Sequence, residues 1–270
     1  MRFLPPTVLA TVCLVMLAAS IAGCGEQPWN DPYRAADAGR AIFYGAFAER
    51  PKHLDPVSSY SENEAQFTGQ IYEPVVQYHF LKRPYQLVPL TATALPEPRY
   101  YDKDGFELPA DAPAENVAQA VYRVTLKRGI LFQPHPAFAQ RSDGRYYYHH
   151  LTREEVATRA TLADFTHSGS RELTADDYVY EIKRLAHPHL HSPVAGLMGK
   201  YIKGLTALAE RLRAAEGGNH GFVDLRKYDF DGARVIDRYT FEIRITEKYP
   251  QFRYWLAMSF FAPVPWEADS

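Results

Sequence analysis

The sequence predicts a globular domain that mixes helices with strands and follows an N-terminal export signal. Hydrophobic residues make up 46% of the 270 and aromatic residues 14%, which is enough to bury a sizeable core. β-rich runs, such as residues 120–126, occur between segments of helical spacing, such as residues 178–186. Arg2 precedes an uncharged stretch that runs to Gly25, as in a signal peptide.

The end of this uncharged stretch predicts lipidation of a cysteine. Ile21-Ala22-Gly23-Cys24 resembles a lipobox, and its small residues suit a signal peptidase that cleaves between Gly23 and Cys24. The thiol of Cys24 would then carry diacylglycerol, and further acylation would make membrane attachment effectively permanent. We therefore expect residues 1–23 to be a lipoprotein signal peptide and Cys24 to be the anchor.

Cysteine usage supports this prediction independently. Cys13 would leave with the signal peptide, so Cys24 would be the only cysteine of the mature chain and no internal disulfide could form. The alternative is an uncleaved transmembrane anchor, because the uncharged stretch approaches the length of a spanning helix. Pro5 and Pro6 shorten its helical part and favour cleavage. Both alternatives place residues 25 onward outside the cytoplasm.

The mature chain is predicted to begin with a polar tether, residues 24–40, that has neither helical nor alternating periodicity. The apolar run at residues 41–47 predicts a buried strand, so residues 41–270 are assigned to the folded domain. A capping box at Ser61-Glu62-Asn63-Glu64 predicts a helix that begins near Glu62. Pro74 should end that helix.

The remaining elements follow from similar signals. Residues 120–132 predict a β-hairpin with its turn at residues 127–129. A second capping box begins at Thr174, and its helix must end by Pro188. Further predictions are a helix over 205–215, paired strands around residues 237–238, and an amphipathic helix over 249–261. Residues 134–172 are predicted to be irregular.

Several of these segments together resemble one family, the family 5 extracellular solute-binding proteins of oligopeptide, dipeptide and nickel ABC importers. Each segment is weak alone, but their order and spacing are specific. They are Leu54-Asp55-Pro56, residues 70–78 around Glu73-Pro74-Val75, the 122–132 region with Leu126-Lys127-Arg128-Gly129, Leu173-Thr174-Ala175-Asp176-Asp177, and residues 249–266.

The resemblance implies an α/β fold, specifically the first lobe of a bilobed, type II periplasmic-binding-protein fold. It implies a chain that ends before the second lobe and that carries an irregular insertion at residues 134–172. Its implied role is a substrate-binding lipoprotein of a peptide-type ABC importer, located in the periplasm or elsewhere outside the cytoplasm. Its partners would be a solute such as an oligopeptide, the permease subunits and, through the lipid anchor, a membrane.

The predicted ligand contacts are Tyr60, Ser61, Glu62 and Asn63, because a polar turn after a first-lobe strand would face the cleft. The competing interpretation is that Ser61 and Glu64 merely cap the helix. The competing function is a lobe without a small ligand, which acts as a surface or assembly module through exposed aromatic residues.

Other function classes find little support in the sequence. Catalytic motifs such as Gly-x-Ser-x-Gly, His-Glu-x-x-His and phosphate-binding glycine loops do not occur, so neither an enzyme nor a cofactor is expected. The net charge of −2 does not suggest nucleic-acid binding. The histidines at 187, 189 and 191 and at 149–150 allow a metal-dependent hydrolase, but a solvated turn after Pro188 explains the first group better.

Overall fold

The computed structural model describes residues 35–37, 39–216 and 223–269 in two compact units, residues 1–48 and 49–270. The predicted signal peptide, Cys24 and most of the tether lie outside the described residues. Within the described ranges, no helix combines the length and the apolar character that crossing a membrane requires.

In the first unit, the predicted strand at residues 41–47 is wrong. These residues form neither helix nor strand, and the Phe43 side chain is 97% exposed. An extended segment becomes a strand only when another strand pairs with its backbone groups, and the described part of this unit contains no such strand. Its regular structure is one 3-10 turn at Ala35–Asp37, beside which Arg40 forms an ion pair with Asp37.

The second unit has the mixed helix and sheet structure that the sequence predicts. A two-stranded ribbon pairs β1 with β2, and a five-stranded antiparallel sheet has the order β4-β3-β5-β7-β6. The strands are β1 Val76–Tyr78, β2 Leu87–Pro89, β3 Pro98–Tyr101, β4 Glu107–Leu108, β5 Gln119–Thr125, β6 Ala233–Asp237 and β7 Thr240–Ile245. The predicted pairing around residues 237–238 is confirmed by β6 and β7.

Alternation along β5 and β7 gives the sheet one apolar and one polar face. Tyr122 pairs with Ile243, and both side chains are buried in the core. The neighbouring pair, Arg123 with Glu242, projects from the opposite face because successive strand residues point to opposite sides. The core therefore lies on one side of the sheet and charged residues lie on the other.

The described residues form six α-helices, of which the third packs on the sheet. They are α1 Glu62–Ile71, α2 Arg153–Ala157, α3 Ala175–Arg184, α4 Ala195–Tyr201, α5 Leu205–Glu216 and α6 Phe252–Trp255. Helix α3 packs on β6 and β7, where the Tyr178 ring stacks on Phe241 with a centroid distance of 5.2 Å. The capping boxes predicted at Ser61 and Thr174 both form, which confirms the starts of α1 and α3.

The predicted hairpin at residues 120–132 is wrong in its second half. Strand β5 forms as predicted, but its neighbours are β3 and β7, which are distant in sequence. After Gly129, which has a left-handed φ of +79°, the chain runs beside residues 169–173 instead. There Phe132 N–H donates to the Arg171 carbonyl at 3.0 Å and Leu173 N–H donates to the Ile130 carbonyl at 2.8 Å.

Two further segments differ in extent from their predictions. The helix predicted over 249–261 is confined to α6 and is followed by a 3-10 turn at Ser259–Phe261. Residues 134–172 are mostly irregular, as predicted, and contain α2 and two 3-10 turns. Stacked rings hold this insertion together, for example Tyr147 on His167 with centroids 4.0 Å apart.

Candidate ligand-binding cleft

The four residues predicted to bind ligand lie at the N-terminus of α1, where the cap dominates. The Glu64 carboxylate accepts backbone hydrogen bonds from Lys52, His53, Tyr60 and Ser61 at 2.9–3.2 Å. These bonds lower the pKa of Glu64 to about 2, and the bond from His53 has the largest effect. The chain before α1 is thus folded around one carboxylate, and the capping interpretation accounts for Ser61 and Glu64.

The other predicted contacts have less defined surroundings. Tyr60 is 74% exposed, with its ring 6.3 Å from that of Phe260, and Glu62 is exposed. The Asn63 amide donates to the Glu49 carbonyl at 3.2 Å. None of the four lines the cleft described next, so their role in binding remains a prediction.

An apolar cleft of about 550 Å³ opens at the other end of α1. Three stretches of chain that are distant in sequence form its walls: the end of α1 with Tyr72 and Glu73, residues 130–138, and residues 263–268. Leu162 and Leu173 complete the lining. Because Pro134, His135, Ala137, Phe138 and Leu162 belong to the insertion, that segment builds part of the cleft.

The floor of the cleft is aromatic, and beside it lies a half-buried arginine that forms two ion pairs. The rings of Phe132 and Phe138 lie 5.4 Å apart, and the Arg171 guanidinium lies 5.1 Å and 5.5 Å from their centroids. Arg171 binds Asp177 of α3 at 2.6 Å and Glu267 at 2.6 Å. Burial alone would lower the pKa of Arg171, but the two carboxylates raise it, so the guanidinium remains charged.

The wall at the end of α1 is also fixed from α3. The Tyr178 hydroxyl donates to the Glu73 carbonyl at 3.0 Å and lies 2.5 Å from the Thr91 hydroxyl. Pro74 follows directly, so the α1 helix cannot continue past this point. The cleft wall is therefore attached to the helix that packs on the sheet.

Nearly two turns beyond Tyr178 in α3, Arg184 anchors the segment before α1. It is 2% exposed, and its guanidinium binds Asp55 at 2.6 Å, Asp269 at 2.8 Å and Glu181 at 3.0 Å. Burial alone would lower the pKa of Arg184, but Glu181, Asp55 and Asp269 raise it, so it stays charged. The Asp55 of Leu54-Asp55-Pro56 is thereby joined to the helix that begins with Thr174.

The extended wall of the cleft exposes one backbone edge. Phe132 N–H and the Ile130 carbonyl pair with residues 171 and 173, which places the intervening Leu131 amide and carbonyl on the opposite side. Within the described part of the chain, the N–H groups of Leu131 and Gln133 have no hydrogen-bond partner. Both side chains are exposed. The arrangement offers an extended ligand both backbone groups and an apolar floor.

Sequence reasoning did not find this cleft. The sequence pattern predicts that residues 130–132 belong to a hairpin, in which a neighbouring strand would satisfy this free edge. The cleft brings residues 131–134 together with Tyr72 and Glu73 at the end of α1. No local sequence pattern signals a tertiary contact of this kind. The aromatic and proline-rich character of residues 130–138 was the one available hint.

The histidines among the described residues form no recognisable metal centre. His187 and His189 have ring centroids 5.8 Å apart, and His149 stacks on Tyr146. Within the described residues, no group of three or more His, Cys, Asp or Glu side chains is placed to hold a metal ion.

No protein-family model matches the chain, and no curated sequence matches it. Solved structures do. The Escherichia coli murein tripeptide binding protein MppA has 19% identity and a TM-score of 0.46 over 80% of this chain. The similarity is to peptide-binding proteins. OppA of Burkholderia pseudomallei has 19% identity and a TM-score of 0.43 over 79% of this chain. OppA of Listeria monocytogenes, bound to peptide, has 16% identity and a TM-score of 0.44 over 78% of this chain.

These similarities are partial. The chain spans 29% of the length of MppA and 28% of each of the two OppA proteins. The matched proteins are of the kind that the sequence motifs resemble.

Proposed function

We propose that this chain belongs to an extracytoplasmic solute-binding lipoprotein of a peptide-type ABC importer and binds an extended peptide in the apolar cleft. The observation that carries the proposal is the free backbone edge at Leu131 and Gln133 beside the Phe132 and Phe138 floor. Capture by the whole protein, delivery to permease subunits and location outside the cytoplasm are parts of the same proposal.

An extended peptide suits this edge for a geometric reason. A strand added to an exposed edge gains main-chain hydrogen bonds at every second residue, while its alternate side chains point to one side. Here the pairing residues would be Leu131 and Gln133, and side chains on the cleft side would bury apolar area on the aromatic floor. Main-chain pairing gives affinity across many sequences, as an importer of mixed peptides requires.

Contacts between the motif segments support the family assignment. Asp55 of the first motif pairs with Arg184 of α3, and Tyr178 of α3 donates to Glu73 of the second. The Tyr122 hydroxyl of β5 donates to the Tyr249 carbonyl of the last motif at 3.3 Å. The segments that carry the resemblance are therefore mutual neighbours in the fold.

Leu131→Asp tests the cleft without disturbing the core, because Leu131 is 66% exposed. We expect it to weaken binding of short apolar peptides at least about tenfold, or ~1.4 kcal/mol, since a carboxylate would stand beside the paired edge. Phe106→Asp is the matched control, since Phe106 is 71% exposed and does not line the cleft. Equal peptide affinities of the two variants, measured by calorimetry, would exclude the cleft as the peptide site.

The membrane anchor is tested separately. Labelled palmitate should be incorporated into the wild-type chain in bacterial cells but not into Cys24→Ala, and the variant should leave the membrane fraction. Incorporation into Cys24→Ala would show that the lipobox interpretation is wrong.

A second candidate function is a surface or assembly module that binds protein and no small solute. It is favoured by the loop between β1 and β2, where Phe80 is 87% and Leu81 77% exposed beside Lys82 and Arg83. Adjacent exposed apolar side chains of this size are typical of contact sites. If this function is correct, Phe80→Ser with Leu81→Ser should abolish a self-association or partner complex seen by light scattering, and peptides should not bind.

A further inference from the structure

The polar face of the five-stranded sheet carries a second, chemically different concavity. This basic pocket has a volume of about 560 Å³ and lies across β5, β6 and β7, on the side opposite the core. Its charged lining comes from Lys103, Arg123, Lys203, Arg234 and Arg244 together with Asp102 and Glu242. Five cations against two carboxylates give the pocket a net formal charge of +3, whereas the whole chain carries −2.

Three arginines of this pocket converge on a single carboxylate. Glu242 is 3% exposed, and its Oε1 accepts from Arg123 Nε at 3.0 Å and Nη2 at 2.6 Å. Its Oε2 accepts from Arg234 Nε at 3.0 Å and Nη2 at 2.8 Å. Arg244 Nη2 lies 3.5 Å from Oε2. Both carboxylate oxygens are thus saturated by two guanidinium forks.

One carboxylate cannot neutralise three guanidinium groups. Burial alone would raise the pKa of Glu242, but the hydrogen bonds from Arg123 and Arg234 lower it, so it supplies one negative charge. Arg244 Nε is buried and has no hydrogen-bond partner in the described structure. A buried donor without an acceptor is costly, which marks the place where an acceptor is missing.

The two remaining cations add to the excess. Neither Lys103 nor Lys203 has a carboxylate within ion-pair distance in the described part of the chain. Asp102 precedes Lys103 in sequence, but its Oδ1 accepts hydrogen bonds from the backbone N–H groups of Asp104 and Phe106, both at 2.9 Å. The pocket therefore holds an excess of positive charge that its own carboxylates do not neutralise.

We propose that this basic pocket binds a small phosphate-bearing anion, which contacts the Arg123, Arg234 and Arg244 guanidinium groups beside Glu242. Guanidinium forks match the geometry of phosphate oxygens, and each arginine keeps donors beyond those that Glu242 occupies. A phosphate group or diphosphate fits within the volume of the pocket. The site is on the opposite side of the sheet from the core and does not depend on the peptide cleft.

The test uses the full chain and pyrophosphate in low-salt buffer, measured by calorimetry. Arg123→Gln should weaken pyrophosphate binding about tenfold, and Arg234→Gln should do the same. Arg99→Gln is the matched control, because Arg99 lies on the same polar sheet face, is as exposed as Arg123 (side chains 54% and 53%) and pairs with Glu107 outside the pocket. It should leave the affinity unchanged.

Glu242→Gln separates binding from structural support. Removing the internal carboxylate frees donors and raises the positive charge, so affinity for pyrophosphate should rise several-fold, and added salt should weaken it. If the three arginines and Glu242 only supported the fold, every variant, including Glu242→Gln, would lose affinity for pyrophosphate. Circular dichroism establishes whether each variant is folded. If Arg123→Gln is not folded, Arg234→Gln is compared with Arg99→Gln in its place.

Three results would overturn the proposal. They are the absence of saturable pyrophosphate binding, equal affinities of Arg123→Gln and Arg99→Gln, and binding to phosphatidylglycerol vesicles without binding to pyrophosphate. The last would assign the face to a membrane surface. The peptide test uses variants of other residues, so the outcome for pyrophosphate does not decide the outcome for peptide binding.

Discussion

Replacing Arg184 by Met, which keeps an unbranched apolar side chain but removes the guanidinium, should destabilise the chain strongly. Arg184 is 2% exposed and binds three carboxylates, those of Asp55, Glu181 and Asp269. Removing one partner of a buried ion pair typically costs about 3–5 kcal/mol, because the remaining charges are left uncompensated. Here three acids would remain together, so we expect a loss in that range.

The measurement is the free energy of unfolding from urea denaturation followed by circular dichroism. Arg145→Met is the matched control, since Arg145 is 81% exposed and its ion pair with Asp143 lies in solvent, where it should contribute little to stability. Asp55→Asn, which leaves Arg184 two acids, should fall between the two. A cost below ~1 kcal/mol for Arg184→Met would refute the view that this network joins the Asp55 segment to α3.

Two further changes test local parts of the account. Glu64 has a folded pKa of about 2 against an ordinary 4.5, so its contribution to stability is present above about pH 4.5 and is lost as the pH falls towards 2. In urea denaturation, Glu64→Gln should therefore reduce the fall of the unfolding free energy between pH 4.5 and 2. An unchanged fall would contradict the role of Glu64 in the cap. Tyr178→Phe should cost ~1–3 kcal/mol in thermal denaturation, because the Glu73 carbonyl and the buried Thr91 hydroxyl lose a partner. A neutral change would mean that other contacts hold the cleft wall in place.

Local signals in the sequence predicted local structure well. The capping boxes at Ser61 and Thr174 specify helix starts through side-chain bonds to the first turn, and Pro74 specifies an end by removing a donor. These interactions span a few residues and survive in any tertiary context. The alternating pattern of β5 likewise identified its buried and exposed faces.

Pairing between distant segments could not be predicted in the same way. Residues 120–126 and 130–132 look like hairpin strands, yet β5 pairs with β3 and β7, and residues 130–135 lie beside 169–173. Residues 41–47 have strand composition but no described partner strand. The cleft draws its walls from residues 70–73, 130–138 and 263–268, and the basic pocket combines arginines from three strands. Such sites exist only once the register of the sheet is set.

The central claim, that an extended peptide pairs with the free edge of the cleft, is tested most directly by amide hydrogen exchange. On addition of a saturating short peptide, the amides of Leu131 and Gln133 should become protected, while those of Phe132 and Leu173, which are already bonded, should change little. Saturable peptide binding without protection at Leu131 and Gln133 would contradict the account.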